Sequence, residues 1–120
     1  MIISVFIISG YPVLSQQSAI EEETAEALAG SEFLATRHHL VAGRPEIDLD
    51  HEVRVQKLVI EANARGLLTA AHDCADGGLA VALAECCLAG DIGVDGRDLD
   101  LGARLDASLF GESQSRFIVA

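Results

Sequence analysis

The chain has 120 residues, half of them apolar, and carries 19 acidic against 8 basic side chains for a formal net charge of -11. That length suits one domain with its own core, and the apolar share argues against disorder. An acidic surface repels phosphate backbones and anionic headgroups, and four Phe, one Tyr and no Trp leave few stacking platforms, so nucleic acid and membrane are excluded as partners.

Residues 1–9, MIISVFIIS, form an apolar, β-branched run that predicts a buried strand. No basic residue precedes Arg37, unlike a secretory signal, and the run is too short to cross a bilayer as a helix. Tyr11 to Ser18, with Pro12, reads as a loop, and the Glu- and Ala-rich Ala19 to Leu28 as a helix stopped at Gly30. Ser31 predicts an N-cap for a short helix through Arg37. Val41 to Pro45 reads as a turn and linker, because Pro45 holds Arg44 extended.

The clearest helix runs from Asp48, its N-cap, to Gly66, with Val55, Leu58, Val59 and Ala62 at helical spacing and Arg65 at the C-terminal end. Leu67 to Ala71 reads as a short buried strand. Leu79 to Ala89 is a second helix with Leu79, Leu83, Cys86 and Cys87 along one side, ended by Gly90. Ile92 to Val94 reads as a short strand, Arg97 to Leu105 as an alternating extended segment, and Ser108 to Phe110 as a turn or short helix. Arg116 to Ala120 is a strand in which the chain stops, and such an ending reads as a truncation. The cysteines, Cys74, Cys86 and Cys87, are odd in number and two are adjacent, which points to reduced thiols and a cytoplasmic setting.

Two stretches can carry chemistry. In His72-Asp73-Cys74-Ala75-Asp76-Gly77-Gly78-Leu79 a strand ends, an acidic turn follows and a helix begins. Asp73 and Asp76, three residues apart, can face one cleft as a magnesium ion bridging phosphates requires, and Gly77 and Gly78 let a phosphate approach the backbone. The plainer alternative makes Asp76 an N-cap and the glycines a turn. His72 fits a base, a ligand or a hydrogen-bonded structural residue, and His38 and His39 read as surface residues. Cys74 lacks an identifiable base for a nucleophile's role. The second stretch, Phe110-Gly111-Glu112-Ser113-Gln114-Ser115-Arg116, gathers a carboxylate, two hydroxyls, an amide and a guanidinium that either bind a polar ligand or satisfy one another.

Together, AHDCADGGLAVALAECCLAG at residues 71–90 and LFGESQSRFIV at residues 109–119 resemble the phosphoribosylformylglycinamidine synthase family, the amidoligases of purine biosynthesis, as do GSEFL at residues 30–34 and the DLDHEVRVQKLV helix. The likeness covers about residues 28–120 and is poor before that. It implies the C-terminal domain of the enzyme's second half, of the aminoimidazole ribonucleotide synthetase type and incomplete. The implied fold class is α+β, an α/β sandwich with a mixed sheet. Residues 1–44 then form an N-terminal strand and helix segment with a linker, and residues 45–120 the partial domain.

By the same resemblance the intact enzyme uses ATP and ammonia to convert formylglycinamide ribonucleotide to the amidine. Its main active site lies in the first half, so no catalytic residue is expected here and the chain alone is inactive. The second half of large members holds an auxiliary ATP or ADP with Mg2+. Asp73 matches that site's metal ligand, and the Glu112-Ser113-Gln114 turn matches, by internal duplication, a substrate-contacting turn of the other half, with a purely structural role here as the alternative. With Asp76, Gly77 and Gly78 of the acidic turn, Glu112, Ser113 and Gln114 are the expected nucleotide-phosphate residues. Ala75 replaces a nucleotide-contacting serine, a departure that removes one hydroxyl. The implied partners are the remaining synthase domains, a glutaminase and small accessory subunits. The open edge of an incomplete sheet adds self-association. The alternative function is a non-catalytic nucleotide-binding or structural module; a hydrogenase-maturation or selenium-transfer relative is disfavoured by the Glu112 to Arg116 turn.

Overall fold

A computed structural model describes residues 6–8, 28–95, 101 and 104–120. Its elements are β1 (Phe6–Ile8), α1 (Glu32–His38), α2 (Leu49–Ala64), β2 (Ala71–Asp73), α3 (Gly78–Gly90), α4 (Leu105–Phe110) and β3 (Phe117–Val119). The three strands form one sheet in the order β1-β3-β2. β3 pairs antiparallel with both neighbours, Ile118 lying opposite Ile7 on one side and His72 on the other. Helices and antiparallel strands make the class α+β. The parallel pair that a mixed sheet needs does not occur among the described residues.

α3 packs on the sheet through Leu79, Ala82 and Leu83, which meet Cys74 and Ile118, with Cys86 and Leu101 packed against the cluster. The positions 79, 82, 83 and 86 recur at one-turn spacing, so one stripe of the helix faces the core. β3 is central, and both Ile118 and Val119 are buried.

The N-caps expected at Ser31 and Asp48 are formed. Ser31 Oγ accepts from Leu34 N–H and donates to Leu28 O at 2.7 Å; Asp48 Oδ1 accepts from His51 N–H at 2.9 Å. Ser31 is only 1% exposed, so water cannot replace its bonds. Ser31→Ala should therefore cost about 1–2 kcal/mol in urea unfolding, and an unchanged midpoint would show that α1 does not depend on its cap.

Four expectations need correction. The predicted apolar stripe of α2 is not a core face: Val55 alone is buried, and Leu58 is 51% exposed. Its spacing is helical, but among the described residues its exposed positions, Leu58 and Ile60, are left uncovered. The predicted strand at Leu67 to Ala71 begins where it was expected to end, and β2 is an exposed edge strand. The backbone before it still reaches the sheet, since Thr69 and Ala70 N–H both donate to Ala120 O. Finally, Leu105 opens α4 instead of closing an extended segment, and of Ile92 to Val94 Gly93 alone makes a β-bridge. The expected elements at residues 1–5, 9–27 and 96–100 lie outside the described residues.

Candidate functional site

The antiparallel pairing of β2 with β3 sets the end of one strand beside the start of the other. Asp73 lies opposite Phe117, and Cys74 N–H donates to Arg116 O at 3.0 Å. The two chemistry-bearing stretches, nearly 40 residues apart in sequence, therefore meet. Between them is a cleft of about 100 Å³ whose walls include Glu52, Asp73, Ala75, Ser113, Gln114 and Ser115. Glu112 also lines it.

The groups at this junction have distinct partners. Glu112 Oε1 accepts two backbone N–H groups at 2.8 Å each, from Gly77 at the N-cap of α3 and from Glu32 at the first position of α1. A carboxylate at two helix N-termini is in the favourable field of both. It also ties together the GSEFL, ADGG and GESQ segments. Phe33 stacks on Phe110 with ring centroids 4.9 Å apart, which closes the same junction from its apolar side. Arg116 donates to Gly111 O and Ser108 O, both at 3.0 Å, and so caps the C-terminal end of α4.

The acidic turn is shaped by its glycines. Gly77 and Gly78 have φ of +83° and +71°, and a Cβ on Gly78 would lie 2.6 Å from Gly111 O. Their N–H groups are engaged within the chain, Gly77 with Glu112 and Gly78 with Ala75 O at 3.1 Å. Gly78 thus serves close packing of α3 on the C-terminal end of α4, whereas a Cβ on Gly77 would meet Val81 of α3 itself. Gly77, not Asp76, holds the N-cap position of α3, and no side chain caps it.

Asp73 differs from these engaged groups. Its side chain is 63% exposed, and its ionic contact with His72 Nδ1 is long, 3.8 Å. His72 turns toward α3, with Nε2 3.4 Å from Glu85, and its Nδ1 lies 2.6 Å from Asp73 O. Cys74 is 2% exposed, and burial pushes its thiol above the ordinary range, so it is a core residue and not a nucleophile. The described cysteines are free thiols. His38 and His39 are exposed, as expected; His39 ends α1 with φ +55°.

Glu52 was not legible as a site residue. It comes from the first turn of α2, where an acidic residue has an ordinary helix-dipole explanation. Here it accepts from the Ser115 hydroxyl and from Gln56. These bonds, the Ser115 hydroxyl's first, hold its carboxyl below the usual range. Next to it, His51 Nε2 is buried without a hydrogen-bond partner.

No three His, Cys, Asp or Glu side chains among the described residues stand close enough to hold a metal unaided. Nor is any helix among them long and apolar enough to cross a membrane.

Comparison with known proteins agrees with the motifs. Residues 15–120 match the model of the AIR synthase related protein, C-terminal domain. Proteins named phosphoribosylformylglycinamidine synthase subunit PurL are similar. That of Moorella thermoacetica is 57% identical over 99 residues, 82% of this chain and 13% of its own length. Those of Thermomicrobium roseum and a Synechocystis species are 56% and 52% identical over 77% and 78% of this chain, and 13% and 12% of their own lengths. The chain spans about an eighth of the curated relatives it matches. With the whole of residues 28–120 inside the matched range, and both motif stretches meeting at one junction, the chain belongs to the family of AIR synthase related proteins as a C-terminal domain.

Proposed function

We propose that this chain belongs to a phosphoribosylformylglycinamidine synthase, which amidates formylglycinamide ribonucleotide at the expense of ATP, and that its own part is a magnesium–nucleotide cleft. The observation that carries this reading is the meeting of Asp73 with the Glu112–Gln114 turn across one cleft. A magnesium ion bound to phosphates needs only one or two protein carboxylates, the rest of its shell being phosphate oxygens and water. Asp73 fits that need, because its carboxylate is exposed and only weakly paired. Ser113 and Gln114 offer a hydroxyl and an amide to phosphate oxygens from the opposite wall. Gly77, Gly78 and Glu112 hold the turn and the start of α3 in place, and Asp76 stands in that turn outside the lining of the cleft.

In the complete enzyme the chemistry would belong to the main active site outside this chain; here Asp73 would hold the metal, and a bound metal would supply positive charge to balance the nucleotide's phosphates. The remaining synthase domains, a glutaminase and small accessory subunits are the partners in this reading, and the cytoplasm its location. Residues 45–120 contribute to an α/β sandwich whose mixed sheet is completed in the longer protein, with residues 1–44 as its leading segment and linker.

Calorimetry with Mg-ADP tests the cleft. Binding is expected for the 120-residue chain and should vanish in Asp73→Asn, which removes the charge and keeps the shape. Equal heats for the two proteins would refute the metal assignment. No ammonia-dependent turnover is expected from the chain alone, and measurable turnover would overturn that part of the reading.

A second reading, a purely structural module, is favoured by one observation: Glu112 and Arg116 are both used on helix ends. Absence of any Mg-ADP heat with the unaltered chain would select it. Under either reading, Leu49, Val53 and Ile60 along α2 and Leu88 on α3 are exposed apolar residues without cover. Self-association is the expected result for the isolated chain, seen as concentration-dependent sedimentation; a monomer at all concentrations would contradict it.

A further inference from the structure

The turn that carries Glu112, Ser113 and Gln114 ends on a residue in a disfavoured conformation. Ser115 has φ +63° and is only 8% exposed. A non-glycine residue in the left-handed region persists only where its surroundings compensate. The compensation here comes from 63 residues away: the Ser115 hydroxyl donates to Glu52 Oε2. Gln56, one helical turn beyond Glu52, donates to its other oxygen. Both oxygens are therefore engaged, which leaves Glu52 poorly suited to bind a metal although it lines the cleft.

We propose that Glu52 is a positioning residue of the cleft: by accepting from the Ser115 hydroxyl it holds the left-handed bend that aims the Glu112–Gln114 turn at a magnesium-bound nucleoside diphosphate. The ligand in this statement rests on the function proposed above; the bend does not. Glu52 supplies no bond to the ligand. It sets the backbone from which Ser113 and Gln114 project, and it does so from an element that neither motif stretch includes.

Alanine and glycine at position 115 both remove the hydroxyl, but only glycine adopts a positive φ without cost. Backbone amide exchange at residues 112–116 reads the bend in the ligand-free chain, and calorimetry reads Mg-ADP affinity. Ser115→Ala and Glu52→Ala should each speed local exchange and weaken binding about tenfold. Ser115→Gly should stay near the unaltered chain in both. Glu52→Gln keeps an acceptor oxygen and should also stay near it. Exchange in α3 should not change in any variant.

Three outcomes overturn the proposal: Ser115→Ala matching the unaltered chain, Ser115→Gly as impaired as Ser115→Ala, or a uniform rise in exchange across the chain. If the unaltered chain gives no Mg-ADP heat, the nucleotide reading fails by itself, and the exchange series still decides whether Glu52 holds the bend.

Discussion

Glu112→Ala should destabilise the chain by about 2–3 kcal/mol, the largest effect expected of any polar substitution at the cleft. One carboxylate oxygen accepts both the Gly77 and the Glu32 N–H, and both donors lie at helix N-termini, where no helix carbonyl can take them. The Gly77 bond is part-buried, so its loss leaves a donor that water reaches poorly. The Glu32 bond is exposed, so water recovers part of that loss, which keeps the total toward the low end of two charged hydrogen bonds. Glu112→Gln retains an oxygen acceptor but loses the charge at two positive helix ends, and should cost about half as much. Urea unfolding of the three proteins measures the series. An alanine variant as stable as the unaltered chain would show that α1 and α3 do not depend on this carboxylate, and that Glu112 is available to a ligand.

Gly78→Ala is expected to cost about 3 kcal/mol or more, and Gly77→Ala clearly less, although both glycines have positive φ. The difference lies in what the new methyl group meets. At Gly78 its neighbours are backbone: Gly111 O at 2.6 Å, Phe110 C at 2.8 Å and Leu109 O at 2.9 Å. None of these can rotate away, so α3 would have to separate from the segment that also carries the Glu112 turn. At Gly77 the clash is with the Val81 side chain, Cγ2 at 2.5 Å and Cβ at 2.8 Å, and Val81 is 37% exposed, so the first turn of α3 can yield toward solvent instead of against packed backbone. The conformational cost of about 1–2 kcal/mol is common to both. Thermal or urea unfolding gives the order directly. Equal losses would mean that backbone strain alone sets the cost and that close packing at Gly78 contributes nothing.

Gly77, Gly78 and Glu112 thus hold together the elements around the cleft, while Asp73, Ser113 and Gln114 are among the residues that line it. That division gives the nucleotide proposal a sharp form. Asp73→Asn should remove binding with little change in stability, and Glu112→Ala should change stability first.

Family and helices were legible in the sequence because their causes are local. Ser31 and Asp48 cap their helices through N–H groups three residues on, and the Leu79, Leu83 and Cys86 stripe follows from helical spacing alone. The motif stretches at residues 71–90 and 109–119 were sufficient to indicate the family. Spacing could not say which apolar stripe is covered. α2 and α3 both repeat apolar residues at the helical period, but among the described residues the buried cluster on the sheet is built from α3. Nor could it place β2, whose limits depend on where β3 offers its hydrogen bonds. The partners of Glu112, Arg116 and Ser115 were hidden for the same reason. Glu112 reaches back 80 and 35 residues, and Ser115 reaches 63, to atoms whose approach is set by the sheet and the packing of α3. Residue type alone shows that a carboxylate or a hydroxyl will find a partner; only the tertiary structure decides whether that partner is a helix end, a bend or an open cleft, because each requires two distant segments to be brought within 3 Å of one another.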